Sequence, residues 1–173
     1  QKCGIPADSI MIAASHSHSS GPTGMVQPGE YDHASEFVQN LAYEKSSAAD
    51  PVYLERVKIA IVEATCEAHE KLAALNVGFG SGIEDKVAFN RRFRMKNGFE
   101  NTHPGQGNPD MLGPAGPTDP EVGVVAAWGD DGELVGCIVN FVCHATANPG
   151  GISANYIYYL ERIIRGVMGE HVI

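Results

Sequence analysis

Three histidines carry the chemistry this sequence offers. His16 and His18 lie in Ser15-His16-Ser17-His18-Ser19-Ser20-Gly21-Pro22-Thr23-Gly24, and His144 opens His144-Ala145-Thr146-Ala147-Asn148-Pro149-Gly150-Gly151. Histidine is the commonest metal ligand, and side chains at i and i+2 project to one side of extended backbone. Each segment follows an apolar run, residues 9–14 and residues 133–143, and each is built of small residues that leave room for an ion and a substrate. Ligands collect beyond strand ends, where loops vary without disturbing the core. The expectation is a metal site at strand ends. The plainer alternative is that each histidine hydrogen-bonds a loop carbonyl. The spacing is not the His-Glu-x-x-His of helical zinc hydrolases, so periodicity alone goes no further.

The elements that must position these residues are partly written in the local pattern. Residues 9–14, Ser-Ile-Met-Ile-Ala-Ala, predict a short buried strand. Residues 25–50 are polar and predict a loop, with at most a helical turn near residues 36–41. Asp50-Pro51 opens the clearest helix, because Asp is a favoured N-cap and Pro fits the first helical position. Leu54, Val57, Ile61, Ala64, Ala68 and Leu72 then form one apolar stripe at three- and four-residue steps. Residues 77–83 and 87–90 predict two short strands, with Gly78, Gly80 and Gly82 on one face where a neighbour could approach closely. Residues 97–118 are dense in Gly and Pro and predict a long loop. Residues 122–128 and 133–143 are two strands joined through Gly129-Asp130-Asp131-Gly132, a hairpin signal. A last helix covers about 156–168. Strands and helices mix in one chain, so the class is α/β (or α+β), a mixed β-sheet with flanking helices.

Composition narrows the partners. The 173 residues suit one domain, and 43% hydrophobic with 19% charged residues fits a globular chain. Lys+Arg 12 against Asp+Glu 21 gives −9. That balance disfavours nucleic acid, which needs clustered Lys and Arg, and leaves a metal ion or a neutral substrate open. No apolar run reaches the roughly 18–20 residues of a membrane span, and no signal-peptide pattern is present. The four cysteines are too few and scattered for a disulfide scaffold and predict free, mostly buried thiols. Cys137 and Cys143, six apart on one predicted strand, are separated by about 20 Å and cannot bridge each other.

The histidine segments also resemble a known family. Ser15-His16-Ser17-His18-Ser19-Ser20-Gly21-Pro22 resembles the Thr-His-Thr-His-Ser-Gly-Pro signature of the neutral/alkaline non-lysosomal ceramidases. Asn90-Arg91-Arg92 is similar to their Asn-Arg-Ser segment, and Asp119-Pro120-Glu121-Val122 to the entry of their next strand. Asn140-Phe141-Val142-Cys143-His144-Ala145-Thr146 resembles their Asn-Phe-(apolar)-(small)-His-(small)-Thr segment. Ile152-Ser153-Ala154-Asn155-Tyr156 resembles a Ser-Ala-Asp-(aromatic) segment that precedes a helix. These blocks run in register over about 140 of the 173 residues. The resemblance implies that residues 1–173 are part of the amino-terminal catalytic domain of a longer zinc amidase, truncated at both ends. It implies Zn²⁺ held by His16 and His144, with His18 and Arg91 near the substrate oxygen or the developing charge. The remaining ligands, a Glu and a Tyr in the family, would come from a region further downstream. The implied substrate is ceramide or a related N-acyl lipid amide, and the implied location is extracytoplasmic. Two positions depart from the pattern: Ser20 adds a residue before Gly21-Pro22, and Asn155 stands where the family has Asp. An amide cannot carry the charge that orients a ligating histidine. The polar 97–118 segment also suits a smaller or more polar substrate than one with two acyl chains.

Other motifs resolve into plainer readings. Arg91-Arg92-Phe93-Arg94-Met95-Lys96 is the one basic cluster and predicts a solvated face or loop anchor. Gly78-x-Gly80-x-Gly82 lacks the dinucleotide-binding spacing, and Ser81 lies in no Gly-x-Ser-x-Gly elbow. Glu63, Glu67 and Glu70 around His69 predict a solvated helix face. His33, His103 and His171 count as surface residues, with a substrate contact conceivable for His103. The same histidines could also serve a binding module without turnover, or a zinc hydrolase of ester or phosphate bonds.

Overall fold

The computed structural model describes residues 2–146 and 150–173. Gln1 and the Ala147-Asn148-Pro149 stretch of the loop after His144 lie outside the described residues. The fold is α+β, and the described residues form three α-helices and two three-stranded antiparallel sheets. The chain groups into two compact units, residues 1–74 with 145–158, and residues 75–144 with 159–173.

In the first unit the expected strand over residues 9–14 does not form. A 3-10 turn at Ala7–Ser9 is followed by extended backbone with no ladder, in which Met11 and Ile12 are 91% and 77% exposed. A strand needs a partner as well as an apolar run, and the described residues supply none. After the histidine pair, Val26 bridges Ala48 in parallel, and the Asp50 N–H donates to Pro22 O at 3.0 Å. Gly24, at φ +61°, permits this: a Cβ there would stand 2.2 Å from Ala49 N. Helix α1 (Glu36–Gln39) runs into a π-turn at Asn40–Glu44, where the sequence predicts one helical turn. Helix α2 (Pro51–Glu70) starts where Asp50 and Pro51 say it must, with Asp50 Oδ1 accepting from the N–H groups of Val52 (2.8 Å) and Tyr53 (3.0 Å). Its stripe is half-buried at Leu54 and Val57 and exposed from Ile61 onward.

The second unit holds both sheets. Strands β1 (Asn76–Ile83), β5 (Glu121–Trp128) and β6 (Leu134–Phe141) form one, in the order β1-β5-β6. The hairpin between β5 and β6 turns at the predicted residues, and Gly129 N–H donates to Glu133 O at 3.0 Å. Register places Gly78 opposite Ala126 and Ala126 opposite Cys137, so the glycine face is the core face. There Ala126, Leu134 and Val172 are buried, packed with Val124, Trp128, Cys137 and Ile164. The last residue extends the sheet, since Ile173 exchanges backbone hydrogen bonds with Val135 and Cys137 of β6. The opposite face is uncovered, with Phe79 83% and Ile138 71% exposed.

Four sequence expectations are corrected here. Residues 87–90 make no strand. The strand falls instead at β2 (Arg92–Met95), which pairs with β3 (Glu100–Thr102) and β4 (Met111–Pro114). The Gly/Pro-rich stretch 97–118 therefore contributes two short strands rather than one long loop. Strand β6 stops at Phe141, so Cys143 lies beyond it, and all four cysteines are half-buried rather than buried. Helix α3 (Tyr156–Met168) has the predicted bounds.

Candidate metal centre

His16-Ser17-His18 is held by backbone and by its small neighbours. The His18 N–H donates to Ala145 O at 3.3 Å. Ser19 is buried; its N–H donates to Ser17 Oγ at 3.2 Å, and its carbonyl accepts the Ser153 N–H at 2.8 Å. With Ser17 tied down, the two imidazoles lie side by side, ring centroids 4.8 Å apart and planes at 76°. His144 is joined by one peptide bond to Ala145, the residue that accepts from His18, so this local contact sets its position. One ring nitrogen from each of His16, His18 and His144 falls within 4.8 Å of the others, and all three side chains are exposed.

His16 and His144 offer imidazole nitrogens of the kind a divalent ion takes, with His18 beside them. Two nitrogens on a tetrahedral zinc, at about 2.0–2.1 Å each, stand about 3.3 Å apart. The trio is wider than that by about 1.5 Å at most, a gap of the size that side-chain rotation closes.

Asn155, which the resemblance marks as standing where an Asp would orient a ligating histidine, contacts the residue between His16 and His18. It is 4% exposed and sits at φ +55°, a left-handed conformation that Asn tolerates better than most residues. Its N–H donates to Ser153 Oγ at 3.0 Å, and its Nδ2 donates to Ser153 O at 3.3 Å and to Ser17 Oγ at 3.5 Å. The buried Oδ1 accepts no hydrogen bond from the described residues. The amide thus clamps the residue between the two histidines. The only signals in the sequence were the Ser-x-Asn pattern, which favours such local turns, and the departure from Asp.

The other candidates belong to other elements. Arg91 belongs to the second unit, exposed at the entry to β2, where its carbonyl accepts the His103 N–H at 3.3 Å. Its part in the chemistry rests on the sequence. Within the basic cluster Arg92 pairs with Glu100 and Lys96 with Asp110, so these charges staple the small sheet from its solvent side. His103 is exposed at φ +58°. His171 is exposed, as expected of a surface residue, and its Nε2 lies 3.1 Å from Leu134 O. On α2 the Glu67–Lys71 pair is solvent-exposed; Lys71 holds the Glu67 carboxyl below its ordinary range, and Glu67 raises the Lys71 ammonium.

Comparison with protein-family models, with curated proteins and with solved structures finds no match to this chain. Among the described residues no helix is long and apolar enough to cross a membrane.

Proposed function

We propose that the chain carries part of the active site of a zinc-dependent amide hydrolase similar to the neutral/alkaline ceramidases, acting on ceramide or a related N-acyl substrate. The observation that supports this reading is that His144 lies within 4.8 Å of the His16–His18 pair, from which it is distant in sequence. The ordered resemblance of the sequence blocks supports the choice of bond. His16 and His144 would hold the ion through one ring nitrogen each. When bound, zinc supplies a Lewis acid that polarises a carbonyl and activates water. His18 accepts a proton at a ring nitrogen and returns it to the leaving amine. Arg91 donates guanidinium N–H groups to the negative charge that develops on the amide oxygen. Ser17, Ser153 and Asn155 hold the His-Ser-His loop in place.

The width of the trio also suits a receptor that hydrogen-bonds a polar ligand without turnover. A substrate panel separates the readings. The zinc-loaded protein that includes the downstream ligands is expected to cleave an N-acyl amide, and His18→Ala to lower that rate by roughly 10²–10⁴-fold with zinc retained. Turnover of esters or phosphates alone would change the bond assigned, and no turnover with zinc bound would favour the receptor.

A further inference from the structure

The first unit brings two thiols together. Cys3 lines a groove of about 490 Å³ whose other wall is α2, at Ile59, Val62 and Thr65. Cys66 follows Thr65 directly and stands one helical turn beyond Val62, so the segment that carries Cys3 runs beside the turn that carries Cys66. Both cysteines are half-buried and both are free thiols. They interact with each other: the Cys66 thiol is raised from its ordinary value first by its hydrogen bond with Cys3, then by desolvation. Glu70 adds to the rise and Lys2 opposes it. The other two cysteines are placed differently. Cys137 is held in the ladder of β6, and Cys143 lies past its end.

We propose that Cys3 and Cys66 form a dithiol site that closes to a disulfide on exchange with a low-molecular-weight disulfide such as oxidised glutathione. One cysteine thiolate attacks a glutathione sulfur, forming a mixed disulfide and releasing one glutathione thiolate. The second cysteine thiolate then attacks the protein sulfur of that mixed disulfide and releases the other. Two protein thiols are oxidised, one glutathione disulfide is reduced to two thiols, and the two cysteine protons pass to the released thiolates or to solvent. The product ties the segment before His16 to α2. That segment has no strand partner among the described residues, so the bridge supplies a restraint the fold does not otherwise give it.

The test incubates the native 173-residue chain with oxidised glutathione, blocks remaining thiols with an alkylating agent, and maps peptides by mass spectrometry without reduction. The expected product links the peptide of Cys3 to that of Cys66, two hydrogens lighter than their sum, while Cys137 and Cys143 form no bridge with each other or with Cys3 and Cys66. Cys66→Ser is expected to abolish the linked peptide and leave Cys3 as a stable glutathione adduct. Two results would overturn the proposal. One is separate glutathione adducts on Cys3 and Cys66 with no linked peptide. The other is a linked peptide formed only in urea, which would show that the native fold holds the thiols apart.

Discussion

Asn155 shows how much of this site is set by a single side chain. Replacing it with Ala removes two hydrogen bonds from its side chain, about 1 kcal/mol each, and places a Cβ-bearing residue at φ +55° without the local bonding of Asn, at about 1–2 kcal/mol. Against this, the substitution removes a buried oxygen that lacks a partner among the described residues, which itself costs about 1–3 kcal/mol. The balance leaves a net loss of about 0–3 kcal/mol for Asn155→Ala. Asn155→Gly shares every term except the backbone one. It should be more stable than Asn155→Ala by about 1 kcal/mol in urea unfolding. Equal midpoints for the two would show that the left-handed backbone is not what selects Asn here. The His-x-His spacing was legible because it is local. The Asn155 clamp was not, since its contact with Ser17 spans 138 positions and its conformation follows from burial.

Elements were legible where short-range rules suffice. Asp50-Pro51 specifies the start of α2 from two adjacent residues, and the Gly129–Gly132 turn specifies the hairpin. Residues 9–14 show the limit, because an apolar run does not reveal whether a partner strand exists. The strands β3 and β4 show another, since three or four residues are too few for alternation to stand out from Gly and Pro. The glycine face of β1 was legible as a face, and the structure adds which glycine is in contact. A Cβ on Gly78 would meet the Trp128 ring at 3.0 Å, whereas one on Gly80 would meet nothing within 4 Å. Gly80→Ala should therefore stabilise the chain by about 0.5–1 kcal/mol through reduced backbone entropy. Gly78→Ala gains the same but presses on the indole, at an overpacking cost of about 1–3 kcal/mol. Trp128 is the sole tryptophan, so its emission reports the difference directly. A shift is expected for Gly78→Ala and none for Gly80→Ala, and identical spectra and midpoints would contradict the register.

At the scale of the whole molecule, the α+β class follows from the mixture of periodicities. The division into two units was not legible, because each unit is assembled from two stretches that are discontinuous in sequence. The charge of −9 favours a divalent cation as partner over a polyanion, and the proposed site at His16 and His144 would give that cation a place to bind. The account therefore stands or falls on metal uptake. The direct measurement is zinc bound per chain, by elemental analysis after equilibration and removal of free metal, on a longer wild-type protein that carries the downstream ligands and on its His16→Ala and His144→Ala variants. All three side chains in the trio are exposed, so these substitutions should change folding stability by no more than about 0.5 kcal/mol. One zinc on the wild-type protein that carries the downstream ligands, lost in both variants while the fold is kept, is the predicted result. Zinc retained by both variants, or none held by that longer wild-type protein, would contradict it.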